Sequence, residues 1–318
     1  MRIVFVAYPG CNALDVSGPA EVFATAARGY EVVIASVHGG PVETTARYAI
    51  ITQPLFKLRP TANDTVLVVG GDRAGVERAC VDRDLLHWLA RVAKTVKRIG
   101  SICTGAFVMS ATGLLDGKRV ATHWSAVSRL ASYRRAVHVD CDAIFVEDGR
   151  WWTSAGVTTG IDMALAMVEA DHGRNVADAV AAELVLYTRR QGFQSQWSDA
   201  LVAQIEEPDA LASSIAWARG HLGELDVPRF ARRAGMSVRS FHRRCVDQLH
   251  VTPAKLIERL RVEHARTLLA AGKRQAKSVA RSCGFGNTAR MAAAFQRSLG
   301  VLPTDYRRMF AAGQGQSK

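Results

Sequence analysis

One cysteine of the sequence stands where a side chain could act as a nucleophile. Cys103 lies in the segment GSICTG (residues 100–105), between a run typical of a buried strand and a run typical of a helix. A side chain at a sharp strand-to-helix turn projects above the sheet, and the positive end of the helix dipole stabilises a thiolate. The glycines allow the close backbone approach that such a turn requires. The pattern predicts a reactive or ligand-binding cysteine; a buried, inert thiol is the alternative.

Basic side chains at helical spacing could contact nucleic acid in the second half of the chain. Phe241 and Cys245 are four residues apart and predict the buried side of a helix. At about 100° per residue, the basic residues between and before them point away from that side or lie at its flank. An arginine there can pair with O6 and N7 of guanine through two hydrogen bonds. The predicted DNA-binding residues of this helix are Arg239, Ser240, His242, Arg243 and Arg244.

A second segment predicts the same kind of unit. Residues 276–300 are AKSVARSCGFGNTARMAAAFQRSLG, which indicates a short helix, a Gly-Phe-Gly turn and a second helix that Asn287 can cap. Met291 and Phe295 mark the buried face, so alanines occupy the base-reading positions and offer only apolar contact. We therefore expect the first unit to carry most base specificity and the second mainly to position the protein on phosphates. The predicted DNA-binding residues here are Asn287, Thr288, Arg290, Ala293 and Arg297.

The two segments are related by an internal repeat. Ala231 and Gly235 recur 49 residues on, and Phe241 and Cys245 recur 50 residues on as Met291 and Phe295. The pattern indicates two helix-turn-helix units joined by one long helix over residues 253–271; a helical bundle with a duplicated hairpin is the alternative. The paired motif resembles the AraC/XylS family of transcription regulators over about residues 208–310.

The positive charge is concentrated on this second half. Residues 205–318 contain twenty Lys and Arg against nine Asp and Glu, a net charge of +11, whereas residues 1–204 carry only +1 of the total of +12. Charge and motif coincide, which is the electrostatic footprint of a domain that meets phosphates rather than of a merely solvated face.

Strands and helices alternate in the first half. Apolar runs predict strands at residues 2–8, 31–37, 65–69, 96–102 and 151–153, and helical segments follow them, including one over residues 18–28 that Ser17 can cap. This alternation predicts an α/β fold with a doubly wound, mostly parallel sheet, followed by an all-α domain with two helix-turn-helix units. We predict an N-terminal domain at 1–190, a linker at 191–207 and a DNA-binding domain at 208–318.

Composition narrows the class of protein further. No stretch of 18 or more apolar residues exists, so no membrane span is expected. The six cysteines are scattered without a C-x-x-C pair or zinc spacing, which suits a reducing cytoplasm. We therefore predict a cytoplasmic protein with no metal, no cofactor and no membrane partner.

The motifs of the first half resemble the ThiJ/PfpI family, which has a class I glutamine amidotransferase-like fold. The matching stretches span most of residues 1–190 and are LDVSGPAEVF (14–23), VVGGD (68–72), GSICTGAFVMSATGLLDGKRVATHW (100–124) and TSAGVTTGIDMALAMVE (153–169). The family includes proteases, isonitrile hydratases and non-catalytic sensor domains, so the resemblance implies a fold more firmly than an activity.

The resemblance also implies roles for individual residues. Isonitrile hydratases use an Asp, a Cys and a Thr in the corresponding motifs, with Asp15 the possible general base and Cys103 the nucleophile. His123 falls where some relatives place a histidine near the strand-to-helix turn that carries Cys103. Protease-like members carry a His directly after the nucleophile, where Thr104 stands here, which speaks against a protease. The predicted ligand-binding residues are Asp15, Gly71, Cys103, Thr104 and His123.

Together the two halves resemble the GlxA-type subfamily of AraC-family regulators. This resemblance implies a sequence-specific DNA-binding regulator, expected to be an activator, whose N-terminal domain senses a small metabolite without catalysis. The expected partners are double-stranded DNA, a small-molecule effector and a second copy of the chain in a homodimer, and RNA polymerase is a candidate. The alternatives are a cysteine-dependent, isonitrile hydratase-like enzyme with a DNA-binding tail, and a redox sensor that uses Cys103.

Overall fold

The computed structural model describes residues 1–26, 29–140, 143–186, 190, 192, 210–249, 251–270, 274–299 and 302–311. The chain divides into two compact units, Met1–Gln196 and Trp197–Lys318. The predicted linker lies outside the described residues except for Gly192. No helix in the described part of the chain is long and apolar enough to cross a membrane.

The first unit is built on a mixed eight-stranded sheet. From one edge to the other, its strands are β3 (Gly40–Glu43), β4 (Ala49–Pro54), β2 (Glu31–Ser36), β1 (Arg2–Val6), β5 (Thr65–Val68), β6 (Arg98–Ile102), β10 (Trp151–Ser154) and β9 (Phe145–Asp148). The pairs from β4 to β10 are parallel, and only the two edge pairs, β3 with β4 and β9 with β10, are antiparallel. The predicted mostly parallel sheet is therefore confirmed. A separate pair holds β7 (Arg119–Val120) and β8 (His138–Val139).

Helices cover the sheet and bury its central strands. Every residue of β5 and β6 is buried, as expected for parallel strands that have helices on both faces. The helices of this unit are α1 (Ala13–Ala26), α2 (Arg73–Ala79), α3 (Arg83–Val92), α4 (Gly105–Ala111), α5 (Val127–Tyr133), α6 (Thr158–His172) and α7 (Arg174–Glu183).

The start of α1 differs from the sequence prediction. The helix begins at Ala13, five residues earlier than expected, and Pro19 lies inside it. Ser17 is not its cap, because the Ser17 hydroxyl donates to the carbonyl of Ala13 one turn back. The Asn12 side chain accepts from the Leu14 N–H at 3.0 Å instead. The earlier start makes Asp15 a helical residue rather than part of the preceding loop.

The second unit is entirely helical among the described residues. Its helices are α8 (Ala210–Arg219), α9 (Val227–Arg233), α10 (Val238–Leu249), α11 (Pro253–Ala270), α12 (Ala276–Ser282), α13 (Thr288–Leu299) and α14 (Pro303–Ala311). The pairs α9–α10 and α12–α13 are the two helix-turn-helix units, and α11 is the long helix predicted between them. Phe230 and Phe241 pack at a ring-centroid distance of 4.8 Å in the core of the first helix-turn-helix unit. Phe295 and Tyr306 pack at a ring-centroid distance of 5.9 Å beside the second helix-turn-helix unit.

Candidate functional sites

The elbow at Cys103 is a strained turn between β6 and α4. Cys103 has a φ of +57°, which is uncommon for a residue with a side chain and marks a backbone held by its surroundings. The Cys103 N–H donates to the carbonyl of Ser154 at 2.9 Å, and the Thr122 hydroxyl donates to the Cys103 carbonyl at 2.9 Å. Gly156 has a φ of +96°, and a Cβ built on it would lie 2.7 Å from the Cys103 sulfur. Only a glycine therefore leaves room for the thiol.

Asp15 lies beside this thiol. The Asp15 side chain is fully buried, and its oxygens accept from the backbone N–H groups of Gly70 at 3.2 Å and Val157 at 2.7 Å. Val157 has a φ of +52°, so a second strained residue lies at the site. Burial raises the pKa of Asp15 to about 6, although the two backbone hydrogen bonds and one from Cys103 oppose the rise. The carboxyl group can therefore exchange a proton near neutral pH.

The surroundings of the Cys103 thiol oppose the thiolate that a helix N-terminus favours. Only 7% of Cys103 is exposed. Burial first, and then the negative charge of Asp15, raises the pKa of this thiol well above its ordinary value, and the hydrogen bonds from Thr104 do not offset the rise. The expected effect of the helix dipole is outweighed because a thiolate here would be desolvated next to a carboxylate. The folded chain therefore disfavours the thiolate form of Cys103.

Thr104 and Gly71 complete this side of the elbow. The Thr104 hydroxyl accepts from the Gly71 N–H and donates to the Gly71 carbonyl, each at 3.0 Å. The Thr104 side chain is thus fixed against the loop that follows β5. The structure brings together four of the five residues predicted from the family resemblance: Asp15, Gly71, Cys103 and Thr104.

His123 has a different local role. Its Nδ1 atom lies 2.8 Å from the Ser125 hydroxyl, and its ring packs on Trp124 at a centroid distance of 5.3 Å. Burial lowers the pKa of His123. The connection to the elbow is through its neighbour Thr122, which holds the Cys103 carbonyl.

Sequence reasoning missed two neighbours of the elbow. The Tyr8 hydroxyl is buried and donates to the Val69 carbonyl at 2.9 Å. Burial is the main cause that raises the pKa of Tyr8 well above its ordinary value. Cys11 is a free, fully buried thiol. No sequence signal marked these residues, because Tyr8 ends a run that predicts only a buried strand and Cys11 lies in the predicted loop after it.

The first recognition helix, α10, presents the predicted basic face. Phe241 and Cys245 are fully buried, whereas Arg239, His242 and Arg243 are exposed. Among the described residues, Arg239 and Arg243 make no side-chain hydrogen bond or ion pair, so their guanidinium groups are free to meet DNA. Ser240 and Arg244 are half-buried at the edge of this face.

The second recognition helix, α13, has the predicted cap and core. The Asn287 side chain accepts from the Arg290 N–H at 2.8 Å, and Met291 and Phe295 are buried. The turn before it requires Gly284, because this residue has a φ of +78° and a Cβ there would lie 2.1 Å from the Leu222 carbonyl oxygen. Thr288, Arg290, Ala293 and Arg297 are exposed on the opposite face.

An acidic residue that the sequence did not single out lies next to this face. Glu258 on α11 accepts from Arg297 at 2.5 Å and from Lys255 at 2.8 Å. Burial raises the pKa of Glu258, but the hydrogen bonds from Arg297 and Lys255 outweigh it, so the net shift is downward. A cleft of about 300 Å³ separates α11 from α13, and Glu258, Arg261, Arg290 and Arg297 line it. Arg297 is therefore already paired across two helices.

No group of three or more His, Cys, Asp and Glu side chains in the described part of the chain is arranged to hold a metal ion. The five described cysteines are all free thiols.

Both halves of the chain match families of known proteins. The model of the DJ-1/PfpI family matches residues 1–170, and that of a helix-turn-helix domain matches residues 230–309. The HTH-type transcriptional regulator GbdR of Pseudomonas aeruginosa is 28% identical over 80% of this chain and 68% of its own length. The HTH-type transcriptional regulator GlxA of Rhizobium meliloti is 26% identical over 88% of this chain and 85% of its own. The resemblance predicted from the motifs is confirmed for both halves.

The elbow half is also similar to an enzyme. The isonitrile hydratase of Pseudomonas putida is 33% identical over 58% of this chain and 78% of the enzyme. Among solved structures, a ThiJ/PfpI family protein from Pseudomonas syringae has a TM-score of 0.56 and 24% identity, and the match covers 73% of this chain and 88% of that one. At this identity the likeness to the solved structure supports the fold alone.

Proposed function

The chain belongs to the DJ-1/PfpI family and carries a C-terminal helix-turn-helix domain, and we propose that it is a transcription regulator whose N-terminal domain binds a small effector without turning it over. The observation that carries the DNA-binding role is the face of α10, where Arg239 and Arg243 are exposed and unpaired among the described residues. This helix lies in a half of the chain with a net charge of +11. Free guanidinium groups on a helix that can enter the major groove are suited to reading guanine.

DNA binding is tested by selecting duplexes from a random library with the full chain. We expect one sequence family to be enriched, and the logarithm of its affinity to fall linearly with the logarithm of salt concentration, because bound arginines release counterions. Equal affinity for selected and scrambled duplexes at physiological salt would refute a sequence-specific regulator.

The proposal of a non-catalytic sensor rests on the raised pKa of the Cys103 thiol at the elbow. A thiol is a much weaker nucleophile than a thiolate, and burial together with Asp15 holds the pKa of Cys103 high. The same elbow holds a carboxyl group whose pKa is raised to about 6 and a Thr104 hydroxyl fixed by Gly71. Such groups suit recognition of a small polar molecule. A ligand of this kind raises the melting temperature of the full chain by mass action.

The remaining parts of the proposal concern the domain boundaries, the location and the assembly of the protein. We place the sensor domain at 1–190, the linker at 191–207 and the DNA-binding domain at 208–318. The protein acts in the cytoplasm as a homodimeric activator, with RNA polymerase as a candidate partner.

An isonitrile hydratase-like activity is the second candidate, because Asp15, Cys103 and Thr104 lie together and the similar Pseudomonas putida protein carries that name. Purified protein is incubated with isonitrile, peptide and dicarbonyl substrates. We expect no turnover above that of Cys103→Ala. Turnover that disappears in Cys103→Ala would establish the enzyme and overturn the non-catalytic sensor.

A further inference from the structure

A groove beside α3 lies in the first unit and shares no residue with the elbow. It has a volume of about 360 Å³ and is bounded by α3, the end of β2 and the short helical turn Leu55–Lys57 that follows β4. None of the residues that line it belongs to the predicted ligand set. The groove takes no part in the enzyme hypothesis or in the proposed DNA binding.

The floor of the groove is apolar. Leu55 and Trp88 are buried, and the ring of Phe56 is 62% exposed at the rim. Trp88 is 4% exposed, and its indole N–H finds no acceptor among the residues that the structure describes. The indole nitrogen itself has no accessible surface, so these residues offer a bound molecule apolar contact.

Opposite charges stand at the two ends of this floor. Asp84 and Arg91 both line the groove, and Trp88 lies between them on the same face of α3. They are seven residues apart, which places their backbones about 10 Å from each other along the helix axis. In the described part of the chain neither side chain forms an ion pair or a hydrogen bond. The groove therefore offers a free carboxylate at one end and a free guanidinium at the other.

We propose that this groove binds a small zwitterion, with a cationic group at Asp84, a carboxylate at Arg91 and a short apolar chain over Leu55, Phe56 and Trp88. The guanidinium of Arg91 can hold a carboxylate through two hydrogen bonds. A simple anion meets repulsion from Asp84, and a simple cation meets repulsion from Arg91, so only a molecule that carries both charges satisfies the two ends.

Three probes of equal chain length test the charge requirement by calorimetric titration of the full chain. The zwitterion 6-aminohexanoate has its ammonium and carboxylate at opposite ends of an alkyl chain, hexanoate lacks the ammonium, and hexylamine lacks the carboxylate. We expect 6-aminohexanoate to bind at least about tenfold more tightly than either of the others, because each loses one charge-assisted contact. Hexanoate or hexylamine binding as tightly as 6-aminohexanoate, or no heat from any probe at millimolar concentration, overturns the proposal.

Variants on α3 assign the site. Asp84→Asn and Arg91→Gln each weaken 6-aminohexanoate binding about tenfold or more, whereas Arg83→Gln, on the same helix but outside the groove, leaves it unchanged. The reversals Asp84→Arg and Arg91→Asp each abolish binding, and the two combined restore it because the ligand can bind in the opposite direction. Binding that survives Arg91→Gln, or that falls equally in Arg83→Gln, places the probe elsewhere and refutes the groove. These titrations involve no DNA, so their failure leaves the proposed regulator role intact.

Discussion

At the scale of single residues, Cys103 is the clearest case of an environment that overrides a motif. A strand-to-helix elbow favours a thiolate, yet burial and the neighbouring Asp15 carboxylate keep the pKa of this thiol high. The rate of alkylation by iodoacetamide should therefore rise continuously up to about pH 9, without the plateau that marks complete ionisation. Mass spectrometry of the peptide that carries Cys103 measures this rate.

The matched control for that measurement is the same cysteine in urea-unfolded chain. There the thiol has an ordinary pKa and full access, so its alkylation should be faster at every pH and should bend near about pH 8.5. An alkylation rate in the folded chain that levels off below about pH 8 shows a thiolate at Cys103. That result contradicts a raised pKa and favours a cysteine-dependent enzyme.

Arg243 and Arg297 are expected to differ in what they contribute to DNA binding. Arg243 is exposed on α10, and among the described residues it has no partner, so it can pair with a base. Arg243→Ala should cost roughly 1–3 kcal/mol on the cognate duplex and relax the preference at one base pair. Arg297→Ala should weaken all duplexes alike and reduce the salt dependence. Both variants are titrated on cognate and scrambled duplexes over a range of salt. An Arg297→Ala variant that changes base preference while Arg243→Ala does not reverses the assignment.

At the scale of secondary-structure elements, what the sequence could predict depended on how local the cause was. The caps and turns of α13 were predictable because the Asn287 cap and the positive φ of Gly284 act within a few residues. The strands β3, β4 and β9, at or next to the edges of the sheet, were missed because they are partly exposed and their apolar runs are short. The place of Asp15 in α1, and the pairing of Glu258 with Arg297 across 39 positions, come from contacts that no local pattern encodes.

The contact between α11 and α13 suggests that Glu258 positions Arg297. One carboxylate oxygen accepts from Lys255 and the other from Arg297, whose side chain is 58% exposed and keeps donors for a phosphate. Glu258→Gln should weaken binding to all duplexes by up to about 1 kcal/mol, because Arg297 loses a fixed geometry. If the carboxylate instead only repels DNA, the affinity should rise.

Glu224→Gln is the matched control for this test. Glu224 also forms an ion pair within the second unit, with Arg229, but it lies on neither recognition helix. A double variant with Arg297→Ala adds a second check, since a positioning role predicts no further loss beyond Arg297→Ala alone. Equal losses in Glu224→Gln and Glu258→Gln speak against a specific role.

A buried ion pair ties β6 to α6 in the first unit. Asp171 is 4% exposed and accepts from Arg98, Lys97 and Tyr30. Burial raises its pKa, but the hydrogen bonds from these three groups outweigh burial and hold the pKa below the ordinary value. Arg98→Leu should lower the free energy of unfolding by about 3–5 kcal/mol at neutral pH, because it leaves a buried carboxylate without its main partner.

The pH dependence of that loss has a defined sign. A carboxyl group whose pKa is lowered on folding contributes stability above its unfolded pKa of about 3.9, and the contribution is lost as the pH falls below that value. The deficit of Arg98→Leu should therefore shrink under acid, as measured by urea unfolding of the full chain at several pH values. Arg134→Leu is the control. It breaks the exposed ion pair with Asp116 and should leave the urea midpoint of unfolding unchanged. A deficit that stays constant down to about pH 3 contradicts the assignment.

At the scale of the whole molecule, charge separates the two halves as clearly as fold does. Residues 205–318 carry a net charge of +11 and residues 1–204 carry +1. Long-range attraction to DNA therefore comes almost wholly from the helical half, and the α/β half adds little to it.

This division bears on assembly, because two copies joined through their N-terminal halves would bring two basic halves to one duplex. The second binding event is then intramolecular, and a duplex with two half-sites should bind about 100-fold or more tightly than a duplex with one. The salt dependence should steepen at the same time, since about twice as many phosphates are neutralised. Light scattering gives the mass of the free chain and of its complex, and titrations on one-site and two-site duplexes give the affinities. A monomer in both states, with equal affinity for the two duplexes, refutes the homodimer and leaves a single chain whose two helix-turn-helix units occupy the whole site.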